Sequence, residues 1–118
     1  MQRFTELKVW QRSHALALEV YRTSAAFPPE ERYGLTPQLR RATVSVVANI
    51  AEGAKRKSDP DYARLLNVAE GSLAETEALL RLARDLLFNG SLDRLIDEAQ
   101  QISRMVYALR TKVAANEP

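Results

Sequence analysis

The chain has 118 residues, 46% of them hydrophobic and 27% charged, with one histidine and no cysteine. A single domain of this size buries roughly two-thirds of its unfolded surface, enough for one core, and the missing thiols exclude disulfides and thiolate metal sites. The net charge of +2 is unevenly spread: residues 1–57 carry ten Lys/Arg against five Asp/Glu, and residues 58–118 carry seven against ten.

Helical periodicity dominates, and no stretch alternates as a strand. The first helix is predicted over about residues 5–26, with Leu7, Trp10, Leu18 and Tyr21 among its apolar positions. Phe27-Pro28-Pro29 ends it, because proline lacks the amide donor and clashes with the preceding turn. Thr36-Pro37 opens the second helix as N-cap and first-turn proline, predicted over about 36–57. Asp59-Pro60-Asp61 repeats that signal for a third helix over about 60–89, stopped by Gly90. Ser91 caps the fourth, over about 92–113, whose stripe includes Leu95, Ile102 and Val106; Ala114 to Pro118 is expected to fray.

Short connections make helices two, three and four antiparallel neighbours. In the third, Leu66, Leu73, Leu80 and Leu87 recur every seven residues with Leu65, Leu79 and Leu86 as a second row. At about 100° per residue these rows cover an arc wide enough to need two neighbours. Glu70, Glu77, Arg81 and Arg84 fall on the other side, where water is expected. The fold class is therefore all-α, an antiparallel up-and-down four-helix bundle forming a single domain.

The second helix carries more than packing. Residues 42–51 contain no charge. Leu39, Val46, Val47 and Ile50 form one face, while Val44, Ala48 and Ala51 lie on the far side. A helix apolar all round is buried all round, and three siblings cannot enclose a fourth. A second copy of the chain is the economical cover for Val44, Ala48 and Ala51; the alternative is that three modest side chains are tolerated at the surface.

The same helix bears a polar stripe, Gln38, Ser45, Asn49, Glu52 and Arg56. Folding back at residues 57–59 sets Glu52 opposite Arg64, Asn49 opposite Asn67, Ser45 opposite Gly71 or Ser72, and Arg41 opposite Glu75. The structural reading is an interhelical network that fixes register; the functional one is a ligand or subunit contact. Gly71 and Gly53 are read as points of close helix approach.

Catalysis needs converging groups, and few are present. His14 has no thiol to activate and no glutamate three residues before it, so neither a nucleophilic site nor a di-iron Glu-x-x-His pair can be assembled. The four glycines are too scattered for a phosphate loop. No enzyme activity, cofactor or metal is expected. Of the basic residues, Arg40, Lys55 and Lys57 are the candidates for phosphate contact, since Arg41 and Arg56 have acidic neighbours. Lys55-Arg56-Lys57 also suits a helix C-terminus, where cations complement the dipole. No apolar run approaches the ~20 residues of a membrane span, and no apolar stretch follows Arg3 as in a signal peptide. No membrane partner is expected, and the expected compartment is the cytoplasm.

Leu7-x-x-Trp10, the run Phe27-Pro28-x-Glu30-Glu31-Arg32-Tyr33-Gly34-Leu35-Thr36-x-Gln38-Leu39-Arg40-Arg41-Ala42, Ser45-x-x-x-Asn49-Ile50-Ala51-Glu52-Gly53 and Ala69-x-Gly71-Ser72-x-x-Glu75 together resemble a family of bacterial four-helix-bundle proteins. Some of its members are encoded by intervening sequences within 23S ribosomal RNA genes. The resemblance covers nearly the whole chain and implies a homopentamer of antiparallel bundles. A related branch, the accessory variability determinants of diversity-generating retroelements, binds nucleic acid and partners a reverse transcriptase. Glu70 departs from the pattern, since many relatives carry a basic or neutral residue there. Two functions stand side by side: an oligomeric protein binding RNA or DNA backbone through a basic rim, and a protein–protein scaffold or accessory subunit without nucleic-acid contact.

Overall fold

The computed structural model describes residues 3–116; Met1, Gln2, Glu117 and Pro118 lie outside it, and with them the end of the tail expected to fray. Four α-helices follow a short 3₁₀ turn at Phe4–Glu6: α1 (Lys8–Ser24), α2 (Leu35–Ala54), α3 (Asp59–Asp85) and α4 (Leu92–Ala115), with a second 3₁₀ turn at Pro29–Glu31 between α1 and α2. There is no strand among the described residues. Each helix packs on the next and α4 closes back on α1, giving a rod of 50 × 21 × 18 Å. Ion pairs from Arg12 to Glu98 and from Arg94 to Glu19 show α1 and α4 running antiparallel. No helix is long and apolar enough to cross a membrane among the described residues.

Leu39, Val46, Ile50, Leu66, Leu73, Leu80, Leu95, Ile102 and Val106 are fully buried along the axis. α1 buries Val9, Ser13, Leu16, Val20 and Ser24; of the apolar positions named from sequence, Leu7 and Trp10 pack against the core and Leu18 and Tyr21 are exposed. Ser13 can be buried because its hydroxyl donates to the Val9 carbonyl at 2.8 Å, a bond inside its own helix. Thr43 and Thr76 are buried by the same device, donating to the carbonyls of Arg40 and Ser72.

Helix ends differ from the sequence expectation for identifiable reasons. The first turn of the expected α1 is a separate 3₁₀ turn, because Leu7 is extended (φ −73°, ψ 124°). α2 starts one residue before Thr36: the Glu31 carboxylate, not Thr36, accepts from the Leu35 amide at 2.9 Å. Pro37 lies in the first turn, where no intrahelical amide bond is lost. α2 stops at Ala54, short of Lys57. Ser58, not Asp59, caps α3, its hydroxyl accepting from the Asp61 amide at 3.3 Å.

The end of α3 is the clearest correction. The helix stops at Asp85, and Leu87, expected in the buried heptad row, has φ +62° and is 88% exposed. Its amide donates to Arg84 and the Phe88 amide to Ala83, at 2.9 and 3.0 Å. These two bonds make a Schellman motif with leucine in the left-handed position that glycine usually fills. The Phe88 ring packs on Phe27 with centroids 5.2 Å apart, and this contact places the stop ahead of Gly90.

Candidate functional site

The outer flank of α2 lies beside the outer flank of α1, and the two leave a groove of about 240 Å³ lined by His14, Ala17, Leu18, Tyr21, Val44, Val47 and Ala48. Nearly all of the lining is apolar. Val44 is 45% exposed, and Leu18, Tyr21 and Ala48 are also exposed; Ala51 continues the same arc of α2, half-buried and outside the groove. Sequence places Leu18 and Tyr21 only among the apolar positions of the first helix. The signal that separates them is the interval pattern of Val9, Ser13, Leu16, Val20 and Ser24, disguised by two serines. His14 sits at one end of the groove, its ring stacked on Trp10 at 4.9 Å. Phe4 meets Trp10 edge-on at 5.1 Å.

The polar stripe of α2 behaves differently from the expected network. Ser45 and Ser72 meet across the α2–α3 seam at 2.8 Å. The other three cross-pairs do not form. Asn49 turns back along its own helix and donates to the Ser45 carbonyl and hydroxyl. Glu52 pairs with Arg56 one turn on, and Arg64 lies 3.8 Å from Asp61. Asn67, Arg41 and Glu75 are exposed, and none has a side-chain hydrogen bond or ion pair among the described residues. The physical reason is position: apart from the serines and Asn49, these side chains lie at the lip of the seam, where water competes and exposed ion pairs gain little. Gly53 does mark a close approach, since a Cβ there would lie 3.0 Å from the Tyr62 ring. Gly71 does not: nothing lies within 4 Å of where its Cβ would be, and it is exposed. A mid-helix glycine costs about 1 kcal/mol relative to alanine, and nothing inside this subunit requires it.

Of the α3 charges expected in water, Arg81 is exposed and pairs with Glu77 on its own helix, while Glu70, Glu77 and Arg84 bond across the α3–α4 seam. Glu70 pairs with Arg110, Glu77 accepts from Arg81 at 2.9 Å and from Gln100 at 3.0 Å, and Arg84 reaches Asp93 at 3.2 Å. Burial pushes the Glu77 carboxyl up, but hydrogen bonds from Arg81 and Gln100 and the Arg81 charge outweigh it, so its pKa lies below the ordinary glutamate value. Arg12, at the α1–α4 seam, is raised mainly by its hydrogen bond to Glu98, 2.5 Å away. Glu70, the departure from the resembled pattern, therefore has a structural partner in Arg110.

The three basic candidates do not share a site. Lys55 and Lys57 lie exposed at the α2–α3 turn, flanking Arg56, which Glu52 occupies. Arg40 is fifteen residues away on α2, about 22 Å along a helix. It is engaged: its guanidinium donates to Ser24 Oγ at 2.8 Å and to the Tyr21 carbonyl at 3.0 Å, and lies over the Tyr21 ring. Arg40 thus serves the C-terminal carbonyls of α1, where a cation also complements the helix dipole. Among the described residues no group of three or more His, Cys, Asp or Glu side chains is arranged to hold a metal ion.

These observations define a class: a small four-helix bundle with a closed core, an apolar groove open to water and a basic turn at one end. The chain belongs to the family described as 23S rRNA-intervening sequence protein, whose model matches residues 5–108. A solved structure with the same fold comes from Bacteroides thetaiotaomicron VPI-5482, described as a protein of unknown function from the S23 ribosomal protein family. It is 20% identical, with a TM-score of 0.77, over 86% of this chain and 97% of that one. No curated protein matches the chain.

Proposed function

We propose that this protein is a non-enzymatic, cytoplasmic homo-oligomer that assembles through the α1–α2 face and presents the Lys55–Lys57 turn, repeated around the assembly, to the phosphates of RNA or DNA. The observation that carries the first part is the apolar groove lined by Leu18, Tyr21, Val44 and Ala48. Charged side-chain bonds close the α3–α4 and α1–α4 seams, whereas beside the groove the α1–α2 surface carries none among the described residues. A homopentamer is the assembly that the family resemblance implies. Five copies of a small basic turn would form a rim able to bind backbone without reading bases. With Arg40 engaged at α1, the rim consists of Lys55 and Lys57 alone.

The scaffold reading, in which the partner is another protein, draws on a specific observation too. Asp59 and Asp61 follow the basic turn closely, and Glu52 neutralises Arg56. A salt-titrated binding assay with single-stranded and duplex RNA and DNA separates the two. Phosphate recognition predicts affinity that falls steeply as salt rises and is lost in Lys55→Glu/Lys57→Glu with the oligomer intact. Absence of binding at low salt would leave the scaffold reading.

A further inference from the structure

We propose that the end of the bundle opposite the Lys55–Lys57 turn docks an extended peptide segment of a partner protein, one that carries an acidic residue close to an apolar one. α1 and α3 run into that end, α2 and α4 leave it, and their two connections meet there. Phe27, Pro28 and Pro29 are walls shared by two adjoining clefts. To the first, of about 360 Å³, Leu86, Leu87 and Phe88 add apolar surface. To the second, of about 280 Å³, Ser24, Arg32, Thr36 and Arg40 add polar groups. Leu86 is 51% and Leu87 88% exposed, and neither belongs to the core of the subunit. Leu87 holds φ +62°, where glycine would carry no strain. Residues kept in costly backbone conformations cluster where ligands are held.

Charge selects the occupant. Arg32 is exposed and Arg40 half-buried, and neither has a carboxylate partner among the described residues. The Arg32 guanidinium lies only over the Tyr33 ring, at 5.4 Å. Arg40 commits Nε and Nη2 to the end of α1, which leaves Nη1 for a ligand. Thr36 adds a hydroxyl without a hydrogen bond among the described residues, in the first turn of α2, where the helix dipole favours an anion. Two guanidiniums without a counter-ion, beside a wall of Phe27 and two prolines, suit a carboxylate attached to apolar neighbours, because arginine grips a carboxylate in a planar fork. A nucleic-acid backbone suits the place less well. Glu30 and Glu31 stand in the chain between Pro29 and Arg32, and they repel a continuous run of phosphates. A single carboxylate reaches the arginines without running past them. Alternate residues of an extended segment fall on one side, so an acidic and an apolar side chain from that side fill the two clefts together.

The test selects a library of random displayed peptides on the full-length protein. Enriched peptides should carry Asp or Glu close to an aliphatic or aromatic residue; no enrichment, or an enriched set without an acidic residue, overturns the proposal. The most enriched peptide, made synthetically, should bind Arg32→Gln about tenfold more weakly, the loss of one charge-assisted hydrogen bond. Replacing the acidic residue of the peptide by its amide should cost the same, and the two losses should not add. Leu87→Gly should also weaken the peptide about tenfold through lost apolar contact, although the subunit itself becomes more stable. Circular dichroism checks that both variants stay helical. Affinity unchanged in either variant places the peptide elsewhere and overturns the proposal. A single-stranded RNA oligonucleotide is the counter-probe and should not distinguish Arg32→Gln from wild type; RNA binding lost in that variant would assign the cleft to phosphate instead. Arg32 and Leu87 lie outside both the α1–α2 groove and the Lys55–Lys57 turn, so these outcomes leave the self-association and the basic rim to their own tests.

Discussion

Along the seam between α3 and α4, charged side chains lie over the core: Glu70 on Arg110, Glu77 on Arg81 and Gln100, Arg84 on Asp93. Between α1 and α2, side-chain bonding is confined to one end, where Arg40 holds Ser24 and the Tyr21 carbonyl. Further along, Leu18, Val44 and Ala48 face water. Both seams bury similar aliphatic residues beneath. What separates them is the outer layer: polar closure finishes the α3–α4 surface, and its absence leaves the α1–α2 surface open to a partner.

That contrast can be broken in graded steps. Leu73→Ala, in the core common to both seams, should lower unfolding stability by roughly 3 kcal/mol through lost burial and the cavity it leaves, read by urea denaturation. Val44→Glu should leave the subunit's helicity unchanged while removing its association, read by circular dichroism beside light scattering; a collapse of helicity would instead make Val44 part of the core. Glu70→Gln, which weakens one closing pair on the other seam, should cost about 1 kcal/mol, with no change of assembly. Smallest and opposite in sign, Leu87→Gly should raise stability by about 1 kcal/mol or somewhat less, because leucine is strained at φ +62° and glycine is not.

The same seam gives a pH dependence. The Glu77 pKa is lower in the folded state than in the unfolded chain. Its contribution is therefore fully present above the ordinary glutamate value and is lost as pH falls through the folded value. Glu77→Gln should flatten that acid arm of a stability-versus-pH curve, and an unchanged arm would mean that the Arg81 and Gln100 bonds contribute nothing.

The order of four helices was legible because proline, serine and aspartate punctuate this chain where its helices change. The exposed flank of α2 was legible for a related reason: Val44 and Ala48 fall outside the arc set by Leu39, Val46 and Ile50. Less visible was the other wall of the groove. Ser13 and Ser24 hold core positions in α1 by bonding to their own helix, so the inward stripe does not read as apolar and Leu18 and Tyr21 are not set apart from it. Charges misled for a different reason. Opposite residues on paired helices were matched by register alone, but whether Arg41 can reach Glu75, or Arg64 can reach Glu52, depends on how far each leans from the seam. Arg40 was miscounted as free because its acceptors are a carbonyl and a hydroxyl, which charge pairing in a sequence does not reveal.

The most direct measurement is the mass of the full-length wild-type chain by sedimentation equilibrium across a concentration series. An open α1–α2 face that binds its own kind predicts an integral multiple of 13.3 kDa, held as the sample is diluted toward the dissociation constant. A single-chain mass throughout the series would contradict it.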